Sequence, residues 1–467
     1  MLHRSLSIIL ASAFMVSALT VTALAEKPKQ PIDTTKDLLT PTQILESFGD
    51  TLLPLEWKIE KDEIVTSDTD PSMKLRRIEV KFYTSLLNGR KWGHPAVIFM
   101  PADPSVYNSK ERRGKVVIVG QRSWDGLATG PWRGSFLGNY GEPIAARTGY
   151  PTMICPIPGE YDGENGREIS IGFLRQRNRK THCLADTANS RLAVPYLYAM
   201  DVMAGILNVD KSEIRSVIGG HSKRVAAYLA AAMDPERVVG VVYMGNESYW
   251  RNFYKSHNPY RATQPPHTQN WVKADVLYIG GTNEDGYEMF NIARMQAMMK
   301  RPWTIEDIPN YRHGSMSEKH FIDWQMWIAH CFNGRPITKI TDLKYEDKGP
   351  DFVWGGRRYG AGGGTLFRCK LDTPNKIIQA KVWYVYCDDI PYWRDLMWYP
   401  EFMVKQDDGS WAGYVKGKTP DAWLIEVKDT AGGFPGYVTS LPQDITGKET
   451  KNRTSRGSRS RNWEPKK

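Results

Sequence analysis

SVIGGHSKR, residues 216–224, is the stretch that decides the fold of this chain. It has the pattern of a buried strand that breaks at glycine and delivers a serine directly into an alanine-rich helix over residues 225–233. A strand-to-helix turn of this kind lifts the serine hydroxyl above the edge of a sheet, and small neighbours let the turn close. The pattern predicts that Ser222 is a nucleophile, although Arg224 occupies the second glycine position of the usual G-x-S-x-G motif.

The order of chemical groups downstream agrees with that prediction. An apolar strand over residues 274–281 ends in a run of polar residues that includes Asp285, and a short strand over residues 303–308 is followed by His313. A serine needs an imidazole to take its proton, and a buried carboxylate to orient that imidazole. We therefore predict Ser222 as nucleophile, His313 as general base and acid, and Asp285 as the orienting acid.

Three carboxylates compete for the role of orienting acid. Glu284 stands next to Asp285 at the end of the same strand. Glu247 follows the preceding apolar strand, residues 238–244, which is an alternative place for the acid. The sequence leaves these alternatives open.

The serine and the histidine also have alternatives. A serine after two glycines is often only a turn or helix-capping residue, and this is the alternative role for Ser222. His320 and His330 lie in the helix that follows His313, and we expect them to pack or to face solvent. His221 is predicted to be a packing residue.

Two basic residues, Lys223 and Arg224, directly follow the serine, and they are predicted to have different roles. The backbone N–H of Lys223 is a predicted oxyanion-hole donor, together with an N–H from the loop at residues 120–126. The Lys223 ammonium is also a candidate for stabilising negative charge or holding a substrate carboxylate. Arg224 is predicted to pair with a carboxylate of the fold, with Glu247 as the candidate.

A chain of 467 residues suggests about two domains. Strands alternate with helices up to about residue 336, which predicts a doubly wound, mostly parallel α/β sheet; short strands separated by turns then predict a smaller all-β sandwich. Its tryptophans are predicted to fill the core and an interface, with a carbohydrate-stacking face as the alternative. The predicted units are a signal peptide (1–25), an N-terminal extension (26–70), a catalytic domain (71–336), a β-sandwich (337–447) and a basic tail (448–467).

The two ends of the chain bear on the cellular location and the binding partners of the protein. Residues 1–25 have a basic start, an apolar centre and an Ala-Leu-Ala cleavage site, so the mature chain is predicted to begin at Glu26 and to be secreted or periplasmic. The net charge of +10 is concentrated in the tail, which holds eight Lys/Arg against two Glu. Nucleic-acid binding is therefore not predicted, and the tail is interpreted as solvated.

The cysteines and histidines give no metal motif. Five cysteines are an odd number for an exported chain, and neither C-x-x-C nor H-E-x-x-H spacing occurs. Cys369 and Cys387 lie in successive strand-like runs and are candidate cross-strand partners. We predict no cofactor and no metal.

Four stretches resemble the PhoPQ-activated pathogenicity-related proteins, in which the nucleophile turn carries Ser-Lys-Arg. These stretches are YAMD (198–201), GGHSKR (219–224), DPERVVGVV (234–242) and IPNYRH (308–313). WYV at 383–385 and WRD at 393–395 echo the C-terminal β domain of that family, whereas Val225 stands where the family is expected to have glycine. The resemblance implies an α/β-hydrolase fold over about residues 90–430.

A second resemblance is to glucuronoyl esterases, which have a basic residue directly after the nucleophile, as Lys223 is here. Some of them take their acid from a Glu-Ser pair after the next strand, which would correspond to Glu247 and Ser248. That resemblance implies Glu247 as the acid and an ester of a plant-wall sugar acid as substrate.

These observations lead to an exported serine hydrolase that cleaves small-molecule or carbohydrate esters of carboxylic acids through an acyl-enzyme. A glucuronoyl-esterase-like enzyme is one alternative. A non-catalytic exported binding protein that keeps the hydrolase scaffold is the other, because function lives in the site rather than in the fold.

Overall fold

The computed structural model describes most of the chain between residues 39 and 445. The described ranges are 39–87, 89–121, 137–157, 187–221, 224–246, 263–284, 290–314, 316–350, 352–358, 362–387 and 393–445.

A large sheet forms the centre of the first three quarters of the chain. The described residues give it nine strands in the order β1-β2-β3-β5-β4-β6-β7-β8-β9. Strands β4 to β9 are mutually parallel, whereas β1, β2 and β3 are joined antiparallel to one another and to β5. The predicted mostly parallel sheet is confirmed. Its strands are β1 (Leu52–Thr66), β2 (Lys74–Leu87), β3 (Arg90–Pro101), β4 (Lys115–Gln121), β5 (Thr152–Pro156), β6 (Arg215–His221), β7 (Val238–Met244), β8 (Asp275–Gly281) and β9 (Thr304–Ile308).

Helices cover both faces of this sheet. The α-helices in the described ranges are α1 (Pro41–Glu46), α2 (Pro104–Tyr107), α3 (Glu142–Thr148), α4 (Ala188–Leu207), α5 (Arg224–Met233), α6 (Pro265–Thr268), α7 (Phe290–Gln296) and α8 (Glu318–Asn333). Successive residues of a strand point to opposite faces, so Ile218 packs with α4 and α5 while its neighbour Val217 packs with α3 and α8. Because both faces are buried, the central strands are almost continuously apolar, which is why the sequence shows them as runs rather than as alternation.

The stretch predicted as an N-terminal extension contains β1, which pairs with β2 along its length. Within the described ranges, no helix is both long and apolar enough to cross a membrane.

The described C-terminal region contains the short antiparallel pair β11-β12 and two larger antiparallel sheets. The larger sheets have the orders β10-β13-β17-β16 and β15-β14-β18-β19, with β20 paired to β18. Side chains from both sheets, such as Phe367 and Ile425, belong to one hydrophobic cluster. The predicted antiparallel β region is confirmed. Its strands are β10 (Lys339–Lys348), β11 (Val353–Trp354), β12 (Arg357–Arg358), β13 (Gly364–Asp372), β14 (Lys376–Val385), β15 (Tyr399–Phe402), β16 (Val404–Lys405), β17 (Trp411–Lys416), β18 (Ala422–Ala431), β19 (Phe434–Thr439) and β20 (Gln443–Asp444).

The suggested cross-strand pairing of Cys369 with Cys387 is wrong. Cys369 is a free thiol on β13 and lies in the cluster shared by the two sheets. Cys387 follows β14 and lies in a different cluster, with Trp398 and Leu424. The two residues follow one another in strand-like runs, but those runs belong to different sheets.

The C-terminal region packs directly on the large sheet. The Thr439 hydroxyl accepts a 2.9 Å hydrogen bond from the backbone N–H of Asp307, and Asp323 of α8 accepts one of 2.8 Å from the N–H of Tyr437. The buried Arg335 and Asp429 form an ion pair at the end of α8. These contacts place β18 and β19 against α8 and β9, beside the edge of the sheet where the candidate site lies.

Candidate functional site

The carboxyl ends of β6, β7, β8 and β9 lie along one edge of the sheet because the four strands are parallel. Residue 222 follows β6, Asn246 follows β7, Glu284 follows β8 and His313 follows β9. Of the predicted site residues, His313 is described. Ser222, Lys223, Glu247 and Asp285 lie outside the described residues.

His313 is hydrogen-bonded to Glu284. The distance from His313 Nδ1 to Glu284 Oε1 is 2.7 Å. Glu284 is 4 % exposed, whereas the His313 side chain is 36 % exposed. Because a carboxylate only accepts, Nδ1 carries the shared proton and Nε2 of the neutral ring is left as an acceptor. This arrangement suits an imidazole that takes a proton at Nε2.

The second carboxylate oxygen of Glu284 is held from β7. The backbone N–H of Asn246 donates to Glu284 Oε2 at 2.5 Å. The Asn246 side chain in turn donates to the Gly281 carbonyl at 2.8 Å and accepts from the Gly281 N–H at 2.8 Å. The Tyr278 hydroxyl donates to the same amide oxygen at 3.1 Å. Both oxygens of Glu284 thus have N–H donors, which explains how this carboxylate can be buried.

The two residues that flank 222 and 223 contact this cluster. The His221 ring lies against the His313 ring, with centroids 4.5 Å apart. His221 therefore packs, but it packs on the candidate base, and the expectation that it would point away from the base position is wrong. Arg224 is buried; one guanidinium nitrogen donates to the Asn246 carbonyl, and the guanidinium carbon is 5.7 Å from the centre of the Tyr243 ring.

The two glycines before His221 are required by close packing. A Cβ atom on Gly219 would lie 2.4 Å from the Val242 carbonyl oxygen, and one on Gly220 would lie 2.7 Å from the Gly120 carbonyl oxygen. Neighbouring strand backbones leave no room for a side chain at either position. The sequence argument from small residues before the serine therefore has a packing basis.

The alternative histidines have structural partners. His320 is buried and its Nδ1 is 2.6 Å from the Ser317 hydroxyl. Burial lowers the pKa of His320 from 6.5 to about 3, so it stays neutral. His330 Nδ1 donates to the Arg335 carbonyl at 2.7 Å, which ties the end of α8 to the following turn. Neither histidine lies in the contacts made by Glu284.

Sequence reasoning missed the asparagines of this site. Asn246 is fully buried, and Asn283 and Asn310 are the other two asparagines in the loops that carry the acid and the histidine. The signal available was an asparagine directly after a predicted strand, which many ordinary turns also show. Among the described residues, no three His, Cys, Asp or Glu side chains are grouped as metal ligands.

No protein-family model and no curated protein sequence matches the chain. Among solved structures, acetyl xylan esterase 1 from Thermoanaerobacterium sp. JW/SL YS485 is similar with a TM-score of 0.45 and 12% identity, over 66% of this chain and 96% of that one. A glucuronoyl esterase from Solibacter usitatus gives 0.39 and 14%, over 62% and 91%. Candida antarctica lipase A in its closed state gives 0.35 and 11%, over 65% and 87%. By their names, these proteins are two esterases and a lipase.

Proposed function

We propose that this protein is a serine hydrolase of the α/β-hydrolase type that cleaves carboxylic esters through an acyl-enzyme. The observation that carries the proposal is the hydrogen bond between His313 and Glu284, with the His221 ring against His313. Ser222, the predicted nucleophile, is the next residue in the chain after His221. The chain order serine, acid, histidine is the order of α/β-hydrolases.

In this mechanism, the Ser222 hydroxyl transfers its proton to His313 Nε2 while its oxygen attacks the ester carbonyl carbon. The backbone N–H of Lys223 is the proposed donor to the resulting oxyanion. The protonated His313 then gives its proton to the leaving alcohol, and the acyl-enzyme forms. A water molecule repeats the two steps, with His313 as base, and releases the acid and free Ser222.

We assign the role of orienting acid to Glu284. The Nδ1 atom of His313 has one hydrogen to donate, and Glu284 Oε1 lies 2.7 Å from it. Asp285 and Glu247 are the other candidates, and each can be compared with Glu284 by substitution. The carboxylate pairs with the imidazolium that forms during the reaction and keeps the ring in the tautomer that accepts at Nε2.

The proposal also covers the substrate class and the cellular location of the protein. The Ser-Lys-Arg motif at 222–224 resembles the PhoPQ-activated pathogenicity-related proteins, and a basic residue directly after the serine resembles glucuronoyl esterases. We propose an ester of a small molecule or a carbohydrate as substrate. Residues 1–25 are proposed to export the chain.

A fluorophosphonate label tests the proposal directly. We expect covalent capture at Ser222 in the wild-type protein and none in Ser222→Ala. We expect hydrolysis of at least one ester in a panel of acetyl, feruloyl and glucuronoyl substrates, and a loss of about 10⁴-fold or more in Ser222→Ala. A folded wild-type protein that neither binds the label nor cleaves an ester would support the binding protein instead.

A further inference from the structure

Two loops at the candidate site contact one segment of the C-terminal region. The acid loop is residues 281–284 and the histidine loop is residues 309–313. The clamp segment, residues 394–398, lies between β14 and β15 in the chain.

The acid loop reaches the clamp segment through Asn283, the neighbour of Glu284. Its side-chain Nδ2 donates to the Arg394 carbonyl at 2.8 Å and to the Leu396 carbonyl at 2.7 Å. Asn283 is 7 % exposed. One buried amide group therefore uses both of its N–H bonds to hold the clamp segment.

The histidine loop reaches the same segment through Asn310. Its Nδ2 donates to the Trp398 carbonyl at 2.9 Å, and its Oδ1 accepts from the Trp398 N–H at 2.8 Å. These two hydrogen bonds resemble the pair that two opposite residues exchange in an antiparallel sheet. Asn310 has a φ of +57°, a left-handed conformation in which asparagine is favoured over most residues. The Trp398 side chain is buried against Val385 and Leu424, so the anchor is itself fixed.

The two loops are also joined to each other. The Thr282 hydroxyl accepts from the Asn310 N–H at 2.9 Å and donates to Asn283 Oδ1 at 2.6 Å. The Asn283 N–H donates to the Tyr311 carbonyl at 3.1 Å. Acid loop, histidine loop and clamp segment are thus joined in one hydrogen-bond network.

We infer that the clamp segment is a positioning element that sets the distance between Glu284 and His313. The inference rests on the proposed function, and it gives the C-terminal region a part in catalysis. Asn283 and Asn310 are positioning residues, because they act on Glu284 and His313 through the loop backbone. Removing either side chain takes hydrogen-bond partners from backbone groups of the clamp segment, so we expect the loops to shift. Displacement of catalytic groups by about 1 Å can cost about 100-fold in rate.

The test uses Asn283→Asp and Asn310→Gly in the full chain. The first keeps the shape and the acceptor oxygen of Asn283 but loses both donors, and the second keeps the left-handed backbone but loses the side chain. Asn375→Ala is the matched control, because the Asn375 amide donates to the Pro336 carbonyl at 2.9 Å and to Asp429 at 2.8 Å, away from both loops. Measurements are kcat, KM, melting temperature and the downfield proton signal of His313 Nδ1–H.

We expect kcat to fall about 10- to 100-fold in Asn310→Gly and in Asn283→Asp, with KM nearly unchanged, and the Nδ1–H signal to shift or broaden. Asn375→Ala should lower the melting temperature and leave kcat and the signal as in wild type. Equal changes of kcat in all three variants, or an unshifted signal in both loop variants, would overturn the inference. If the wild-type protein cleaves no ester, the proposed function fails, while the Nδ1–H signal still decides whether the clamp segment positions His313.

Discussion

Glu284 and Asp307 are two buried carboxyl groups at the ends of neighbouring parallel strands, and their surroundings differ. Both oxygens of Glu284 are bonded to N–H donors, one from His313 and one from Asn246. Neither side-chain oxygen of Asp307 has a hydrogen-bond partner among the described residues. Burial, followed by the nearby Glu306 and Glu284, raises the pKa of Asp307 well above 3.8. Burial and the neighbouring acids therefore favour the neutral form of Asp307, whereas Glu284 has an N–H donor at each oxygen.

Asp307 belongs to a wider group of buried acids between the large sheet and the C-terminal region. Burial raises the pKa of Glu306 to about 7 and that of Asp323 well above 3.8. Lys319 is the cation among them, 3.3 Å from Glu306 and in closer contact with Glu426. The charge of this group is expected to depend on pH, whereas the pair of Glu284 and His313 is the proposed place of proton transfer.

The largest effect is expected from Glu284→Gln. Gln presents an amide to Nδ1 and cannot pair with the imidazolium, so kcat should fall about 10³- to 10⁴-fold. Steady-state kinetics on the cleaved ester measure it, with Asp285→Asn, Glu247→Gln and Asp307→Asn prepared in parallel. A greater loss in Asp285→Asn or Glu247→Gln would move the acid role to that residue.

The next largest effect is expected from Glu306→Gln, which should change how stability depends on pH. The pKa of the Glu306 carboxyl is about 7 in the folded protein, compared with its ordinary value of 4.5. The wild-type protein therefore loses stability as the pH rises from 4.5 to about 7. At about 1.4 kcal/mol per pKa unit, the loss is at most about 3.5 kcal/mol. Glu306→Gln should therefore be more stable than wild type above pH 7 and similar to it near pH 4.5.

Urea unfolding at several pH values measures this difference, with the exposed Glu111→Gln as control. A difference between wild type and Glu306→Gln that does not grow with pH would show that Glu306 is not a neutral buried acid.

A moderate effect is expected from Arg224→Met. The Arg224 guanidinium donates to the Asn246 carbonyl, and the Asn246 N–H holds Glu284. Loss of the buried donor should lower the free energy of unfolding by about 1–3 kcal/mol. Urea unfolding measures it. If Arg224→Met were as stable as the wild-type protein, Arg224 would not be needed to support Glu284.

The smallest effect on turnover is expected from Asp307→Asn. Burial raises the pKa of Asp307 well above 3.8, which favours its neutral form, so we expect exchange for an amide to change little charge near Glu284. We expect kcat close to that of wild type, measured beside Glu284→Gln. A loss comparable to that of Glu284→Gln would mean that Asp307 also contributes to the chemistry, and the contrast between the two acids would fail.

Local patterns were enough to predict the elements that carry the site. Apolar runs bounded by glycine predicted β6, β7 and β8, and the parallel order placed the ends of these strands at one edge. The position of His313 in the loop after β9 is the basis of its prediction as a site residue, and His313 is hydrogen-bonded to Glu284. Such features depend on residues close together in the chain, which is why a single sequence reveals them.

Other features depended on contacts between distant residues. Glu284 and Asp285 are adjacent and chemically alike, and what orients Glu284 is the N–H of Asn246, which comes from another strand. Asn283 and Asn310 meet a segment about a hundred residues further along the chain, and Cys369 and Cys387 were separated because their strands joined different sheets. The sequence by itself determined which strands, helices and candidate groups exist. Only the tertiary structure decided which groups meet, because a side chain in a loop takes its direction from the donors and packing that surround it.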